Sequence, residues 1–186
     1  YEHAWRRLQP RGREHPHAFE KGSDERAWCS VSVSRQRKGV DVTMLAGLEG
    51  LVLLKTTNSG FSGYLRDEYT TLPETDDRIF ATSVSATWAY SAAPRDLVRA
   101  RRAVRDALVE TFAAHKSLSV QHTLYAMGEA ALKSCRQAEW IRLSLPNKHC
   151  LLVNLAPFGL GNANEIFVPT DEPHGLIEAT IERRGR

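Results

Sequence analysis

The chain has 186 residues, of which 42% are hydrophobic and 25% charged, and its formal net charge is +3 at pH 7. This composition is typical of an ordinary globular protein, and its apolar runs are too short to cross a bilayer. The small positive charge would favour a small anion and is far from that of a polyphosphate binder. The three cysteines have no C-x-x-C spacing, so we expect neither a disulfide framework nor a zinc site, and a reducing compartment fits best.

The first predicted strands form a hairpin. Residues 26–37 alternate between apolar and polar side chains, and after a turn at residues 38–39 the alternation resumes over residues 40–45. Ahead of the hairpin, His15 and His17 flank a proline. An H-x-H pair allows a metal-site interpretation, but the proline and the lack of a third candidate ligand nearby in the sequence favour a loop that precedes a strand.

The central stretch begins with the apolar run Leu51 to Leu54, which predicts a strand buried on both faces. The turn-forming residues 58–60 end that strand. Phe61 follows between small residues, so its ring stands on a loop where a ligand could approach the backbone and stack on the ring. A dense polar block then extends to Arg78, and polarity this concentrated between two apolar runs indicates a site more than a linker.

The next elements are one strand and two helices. Residues 79–90 alternate as a strand, and residues 97–115 carry apolar side chains at helical spacing. The arginines on the other face of this helix could follow a nucleic-acid backbone, but interspersed acidic residues favour a solvated face. Ser119 is the predicted N-cap of a second helix over residues 120–135. Gln121 then lies in a first turn whose unpaired N–H groups favour an anion.

The chain closes with strands at residues 140–145, 150–155, 166–168 and 177–182. Residues 146–149 between the first two are too polar and too few to be more than a connection or a bulge. This order of elements predicts an α+β fold, in which an antiparallel sheet carries two helices stacked on one face.

The sequence K-T-T-N-S-G-F-x-x-Y-x-R-D-E-Y-T-T-L-x-E-T-D-D-R, from Lys55 to Arg78, resembles the signature of urate oxidase (uricase). Four later segments resemble further uricase segments: residues 119–127, 145–149, 164–167 and 171–180. The resemblance covers nearly the whole chain but corresponds only to the later part of a uricase.

The resemblance implies the tunnelling fold (T-fold), which uricases build from two units per subunit. With a boundary placed at residues 47–50, residues 1–47 would be the last hairpin of an incomplete first unit and residues 48–186 a complete second unit. An incomplete unit leaves an open sheet edge and an uncovered apolar face, so we expect dependence on other segments or subunits. The family implies a homotetramer with sites at subunit interfaces, and no nucleic-acid or membrane partner.

The resemblance also implies a location. The chain starts with Tyr1 instead of methionine and does not end in a Ser-Lys-Leu peroxisomal signal, so a portion of a bacterial cytoplasmic protein is expected.

The resemblance implies cofactor-free oxidation of urate by dioxygen to 5-hydroxyisourate and hydrogen peroxide, with neither a metal nor an organic group. It assigns substrate binding to Phe61, Arg78, Val120 (through its backbone N–H), Gln121 and Asn147, and catalysis to His149. These residue types suit an oxidised purine, because an aromatic ring stacks on its plane, a guanidinium fork holds its acceptors and an amide pairs with its edge.

The family's histidine belongs to a proton relay with a lysine and a threonine that have no matching segment here, so we expect little turnover from these residues alone. Two alternatives stay open: a T-fold fragment that binds purines or pterins without oxidising them, and a structural fragment whose pocket never forms. His149 favours the enzyme, because a simple binder has little need of a proton shuttle.

Overall fold

The computed structural model describes residues 5–22, 25–37 and 39–183. Within these ranges the chain forms seven β-strands, two α-helices and two 3-10 turns, at Pro10–Gly12 and Ala156–Phe158. The larger elements are β1 (Trp5–Arg7), β2 (Ala18–Lys21), β3 (Arg26–Gln36), β4 (Gly39–Lys55), β5 (Phe80–Tyr90), α1 (Leu97–Ala114), α2 (Val120–Ser134), β6 (Ala138–Leu152) and β7 (Phe167–Glu182). Tyr1, Lys38 of the predicted turn and the last three residues lie outside the described ranges.

All described strands belong to one antiparallel sheet in the order β1-β2-β4-β5-β6-β7, with β3 also paired to β4. β5 occupies one edge of β4. On the other edge, β3 pairs with the first part of β4, up to Glu49, and β2 pairs with its last part, from Val52. β2 and β3 therefore lie end to end, and the sequence alone indicated neither β1 nor β2.

Both helices pack on one face of this sheet and enclose a single apolar core. α1 contributes Val104, Leu108 and Phe112, spaced four residues apart on its inner side. α2 contributes Leu124 and Met127 among its buried residues, and Trp88 and Leu143 represent the sheet. Apolar side chains at helical spacing bury one stripe of each helix, as the sequence predicted.

The two N-caps explain where the helices begin. Asp96 accepts a hydrogen bond from the backbone N–H of Arg99 at 2.9 Å, and Ser119 accepts one from that of His122 at 3.1 Å. The Ser119 prediction is confirmed. Arg105, expected on a solvated face of α1, instead forms ion pairs with Glu25 at 2.8 Å and Glu20 at 3.0 Å. Glu20 lies on β2 and Glu25 lies just before β3, so it is the tertiary fold that brings both carboxylates to α1.

β4 continues through the position where the sequence suggested a boundary. Instead of a loop, residues 47–50 hold an irregularity in the pairing with β5, between Leu48 and Leu51. Gly50 has φ 72°, a left-handed conformation that side-chain-bearing residues adopt at a cost, so it lets the strand pass without a break. The division into two units remains a prediction.

β6 and β7 each join two strands that the sequence had separated. Of the two interpretations of residues 146–149, the bulge is correct, because the pairing of β6 with β7 shifts between Asn147 and His149. On the other side, the pairs with β5 pass from Ser144 directly to Lys148. Pro146, which has no N–H to donate, lies within this interruption. No helix in the described residues is both long and apolar enough to cross a membrane.

Candidate functional site

The loop of residues 56–79, between β4 and β5, forms the centre of the candidate site. Phe61 pairs with Thr75 across the loop, through backbone hydrogen bonds of 2.7 and 3.1 Å. On its other side, the Gly60 N–H donates to the carbonyl of Ser117 at 2.8 Å. The backbone that carries Phe61 is therefore held between two neighbouring segments and is not a free loop.

The Phe61 ring is half-buried and stacks on the ring of Tyr64, with centroids 4.5 Å apart and planes 17° from parallel. The Tyr64 hydroxyl donates to the carbonyl of Leu72, and the Arg66 guanidinium lies 5.5 Å from the Tyr64 ring centroid. Since Tyr64 covers one face of Phe61, a planar ligand could stack only on the opposite face.

Arg78 and Asn147 lie in direct contact. Arg78 donates from Nη1 to Oδ1 of Asn147 at 3.3 Å and from Nε to the carbonyl of Gly60 at 3.1 Å. Its Nη2 is buried and has no hydrogen-bond partner among the described residues. Burial lowers the pKa of Arg78, but a guanidinium stays charged in proteins. An unpaired donor on a buried cation is a site for an anionic acceptor.

Val120 and Gln121 form the first turn of α2, with Val120 buried and Gln121 exposed. The first N–H groups of a helix have no partner within it, and they carry its positive end. The segment just before α2 is hydrogen-bonded to the Phe61 loop, since Ser62 N–H donates to the carbonyl of Leu118 at 3.1 Å. The structure thus ties the start of α2 to the loop.

His149 lies on β6, beyond the bulge, and is half-buried. Its carbonyl accepts from the Thr170 hydroxyl at 3.3 Å. Among the described residues, no hydrogen bond joins its ring to the other five candidates. Lys148 forms an ion pair with Asp171 at 3.4 Å. The predicted residues therefore form one joined group, from Phe61 to Arg78, Asn147 and the start of α2. His149 follows Asn147 by two residues on β6, but its ring makes no hydrogen bond to this group among the described residues.

Sequence reasoning missed the buried Lys55, which is 0% exposed at the end of β4. Its Nζ donates to the carbonyls of Phe112, at 3.3 Å, and His115, at the C-terminal end of α1. A cation at this position pairs with carbonyls that the helix leaves free. Burial lowers the pKa of Lys55 to about 8. In the sequence, Lys55 closes an apolar run and begins the uricase-like motif, but neither position indicates that it is buried.

Two histidine pairs lie near Lys55. The rings of His15 and His17 meet edge to face with centroids 4.5 Å apart, and those of His115 and His122 do so at 4.3 Å. Burial, followed by neighbouring positive charge, lowers the pKa of His15 and His115. Within the described ranges, no group of three or more His, Cys, Asp or Glu side chains could hold a metal ion. The H-x-H pattern here gives a ring–ring contact.

Comparison with known proteins shows the family. The sequence model of the uricase family matches residues 44–178. The chain belongs to the uricase family. It is 45% identical to the uricase of Arthrobacter globiformis over 172 residues, which cover 92% of this chain and 56% of that protein. It is 41% identical to the uricase of Aspergillus flavus over a gapped alignment of 196 residues that covers 97% of this chain and 63% of that protein.

Solved uricase structures have the same fold. The crystal structure of the A. globiformis uricase superimposes with a TM-score of 0.82 at 44% identity, over 98% of this chain and 61% of that one. The uricase from Bacillus fastidious gives a TM-score of 0.73 at 26% identity, over 97% of this chain and 59% of that one. The predicted α+β T-fold is confirmed, and the chain spans about three-fifths of the length of the uricases it matches.

Proposed function

We propose that this chain supplies the urate-binding part of a urate oxidase. The observation that carries the proposal is the contact of Arg78 with Asn147 beside the Phe61 loop, with one buried guanidinium nitrogen unpaired among the described residues, in a member of the uricase family. Urate is a planar anion rich in carbonyl oxygens, and this group offers a ring, a cation and directional donors.

In the proposed complex, urate stacks on the face of Phe61 opposite Tyr64. Nη2 of Arg78 donates to a urate acceptor, which satisfies the buried nitrogen. The amide of Gln121 and the N–H of Val120, at the positive end of α2, hold the other edge of the ring. Asn147, in contact with Arg78, is the residue near which the dioxygen is held over the ring plane.

The reaction converts urate, dioxygen and water into 5-hydroxyisourate and hydrogen peroxide. Removing a proton from bound urate makes the ring electron-rich, and two electrons then pass from the ring to dioxygen, which takes up two protons. Water adds to the oxidised ring as its hydroxyl group. His149 is the proposed proton shuttle, because imidazole exchanges protons near neutral pH. Its relay partners, a lysine and a threonine, would come from the part of the longer uricases that this chain does not match.

The proposed assembly is a homotetramer with active sites at subunit interfaces. Apolar side chains exposed along β6 and β7 support it: Leu151, Leu152 and Val168 are each about half exposed. A long strand edge with apolar neighbours favours pairing with another chain. A second subunit at this side would also supply groups that His149 lacks among the described residues.

A second candidate function is binding of a purine or pterin without oxidation. It is favoured by the lack of a hydrogen bond, among the described residues, between the His149 ring and the other candidates. The two functions are separated by measuring urate consumption and urate binding on the purified protein that carries this chain. The urate absorbance decay reports turnover, and equilibrium dialysis reports binding.

For the enzyme, Arg78→Gln weakens urate binding about 10- to 150-fold, as expected for loss of a charged hydrogen bond of about 1.5–3 kcal/mol. His149→Ala retains binding and lowers turnover by ~10² or more. Arg142→Gln, which removes an exposed arginine paired with Glu178 at 3.2 Å, is the matched control and leaves both unchanged. Binding without consumption would establish the second candidate, and absence of binding would refute both.

A further inference from the structure

Residues 117–119 connect two parts of the candidate site, the loop that carries Phe61 and the first turn of α2. They run parallel to the start of the Phe61 loop, with a bridge between Ser59 and Ser117. Ser117 N–H donates to the carbonyl of Asn58 at 3.0 Å, and the Gly60 N–H returns to the Ser117 carbonyl at 2.8 Å. The segment then enters α2 directly. Any shift of this segment against α2 therefore moves Phe61 relative to the α2 N-terminus.

Two buried hydroxyl groups fix the segment on α2. Thr123 is 0% exposed and Ser117 is 1% exposed. The Thr123 hydroxyl donates to the Ser117 hydroxyl at 2.7 Å, which donates in turn to the carbonyl of Ser119 at 3.0 Å. These two hydrogen bonds connect Thr123, the fourth residue of α2, to its N-cap residue, Ser119.

Each hydroxyl in this series has a defined acceptor: Thr123 donates to Ser117, and Ser117 donates to the carbonyl of Ser119. The Thr123 backbone N–H donates to the same Ser119 carbonyl at 3.1 Å, so this carbonyl accepts two hydrogen bonds. Buried donors and acceptors that are all paired hold one geometry, because a displaced partner would leave a polar atom unsatisfied away from water.

We propose that Thr123 and Ser117 are positioning residues for the urate site. Their hydroxyl pair sets the first turn of α2, with Val120 and Gln121, at the correct distance and angle from the Phe61 ring. This inference rests on the proposed function. It assigns to the pair an effect on urate binding through Gln121 and Phe61, without direct contact with urate.

The test compares Thr123→Val with Thr123→Ser and with Thr82→Val in the purified protein that carries this chain. Valine removes the hydroxyl at nearly constant volume, and serine retains it. Thr82 is the matched control, because it is also 0% exposed and its hydroxyl has no partner among the described residues. Each variant is measured for urate binding by equilibrium dialysis, for the urate KM and kcat, and for thermal stability; if the protein binds urate without consuming it, the dissociation constant takes the place of the KM.

We expect Thr123→Val to raise the urate KM several-fold with a smaller change in kcat, and Thr123→Ser to restore the KM. Thr82→Val should leave the KM unchanged. Ser117→Ala removes the hydroxyl between Thr123 and the Ser119 carbonyl and should reproduce the effect of Thr123→Val. It replaces Thr123→Val as the test if that variant does not fold. An unchanged KM in folded Thr123→Val or Ser117→Ala, whatever the loss of stability, would overturn the inference. Failure of the unmodified protein to bind urate would instead refute the proposed function.

Discussion

At the scale of single residues, Lys55 stands out because its amino group is buried. An amino group without solvent exposure is held by carbonyls at the end of α1, 5.7 Å from the centroid of the Phe112 ring. Its burial makes the charged form costly, which is why its pKa is lowered from 10.5 to about 8. The folded protein therefore holds the Lys55 proton less tightly than the unfolded chain.

The free energy of unfolding should increase as the pH rises from about 8 toward 10, and Lys55→Met should remove this increase. In that window the unfolded state retains the Lys55 proton that the folded state has released, so deprotonation favours the folded state. Below about pH 8 the cost of burying the charge is fully present. Urea denaturation at pH 7.5, 8.5 and 9.5 measures the effect.

The comparison for Lys55→Met is Lys133→Met, which changes an exposed lysine of α2 and should keep the pH dependence of the unmodified protein. Measurements stop at pH 9.5 because burial raises the pKa of Tyr90, whose titration at higher pH has the opposite sign. Burial also raises the pKa of Cys150, which has the opposite sign within the window but acts alike in all three proteins, so the Lys55 effect is the difference between Lys55→Met and the unmodified protein. Parallel stability curves for Lys55→Met and the unmodified protein would contradict the assignment.

At the scale of elements, the loop of residues 56–79 behaves as a small three-segment layer. Residues 59–61 lie between Thr75 on one side and Ser117 on the other. This layer brings Phe61, Arg78 and the start of α2 together from parts of the chain far apart in sequence. Gly60 is central to it, because a Cβ there would lie 2.6 Å from the Thr75 carbonyl oxygen and 3.2 Å from the Cα of Asp76.

Gly60→Ala should destabilise the protein by about 1–3 kcal/mol, the usual cost of overpacking, and should weaken urate binding. Both atoms in the way belong to the backbone, so the loop itself must shift and carry Phe61 with it. Urea denaturation and equilibrium dialysis with urate measure the two effects.

Gly161→Ala is the control, because a Cβ at that position meets nothing within 4 Å. It should change neither property. A Gly60→Ala protein that binds urate as tightly as the unmodified one would show that the loop does not position the ligand.

At the scale of the whole molecule, the two helices cover one face of the sheet. Apolar side chains remain exposed on β3, β4, β6 and β7. Leu151 and Val168 are cross-strand partners on β6 and β7 and are 56% and 51% exposed. On the hairpin of β3 and β4, Val33 and Val42 are likewise paired and exposed. Exposed apolar pairs on regular strands favour contact with further protein.

The purified protein should sediment as a species larger than one chain, and replacing Leu151 and Val168 together by lysine should shift it to smaller species. Each lysine places a charge where an apolar contact between subunits is expected. The association then loses about 1.5–3 kcal/mol of favourable free energy for each apolar side chain that is no longer buried. Analytical ultracentrifugation over a range of protein concentrations measures the change.

Leu65→Lys serves as the comparison, since Leu65 is 99% exposed on the loop of residues 56–79, and it should not change the sedimentation. Wild-type protein that remains a single chain at all concentrations would contradict the proposed assembly.

The candidate site was predictable from the sequence as a set of residue types but not as a geometry. Phe61 between small residues and Ser119 before an amphipathic helix carry local signals, because loop exposure and capping depend on near neighbours in the chain. The contact of Arg78 with Asn147 joins residues 69 positions apart. No local pattern specifies such a contact.

The sequence by itself determined the α+β class, both helices, most strands and the family resemblance, because hydrophobic periodicity and motifs are properties of neighbouring residues. Only the tertiary structure decided that β4, β6 and β7 run on through polar or glycine-containing breaks, since pairing partners compensate for weak local propensity. It likewise decided the burial of Lys55 and the ion pairs of Arg105. Charged groups lose their water only where distant segments supply carbonyls or carboxylates to replace it.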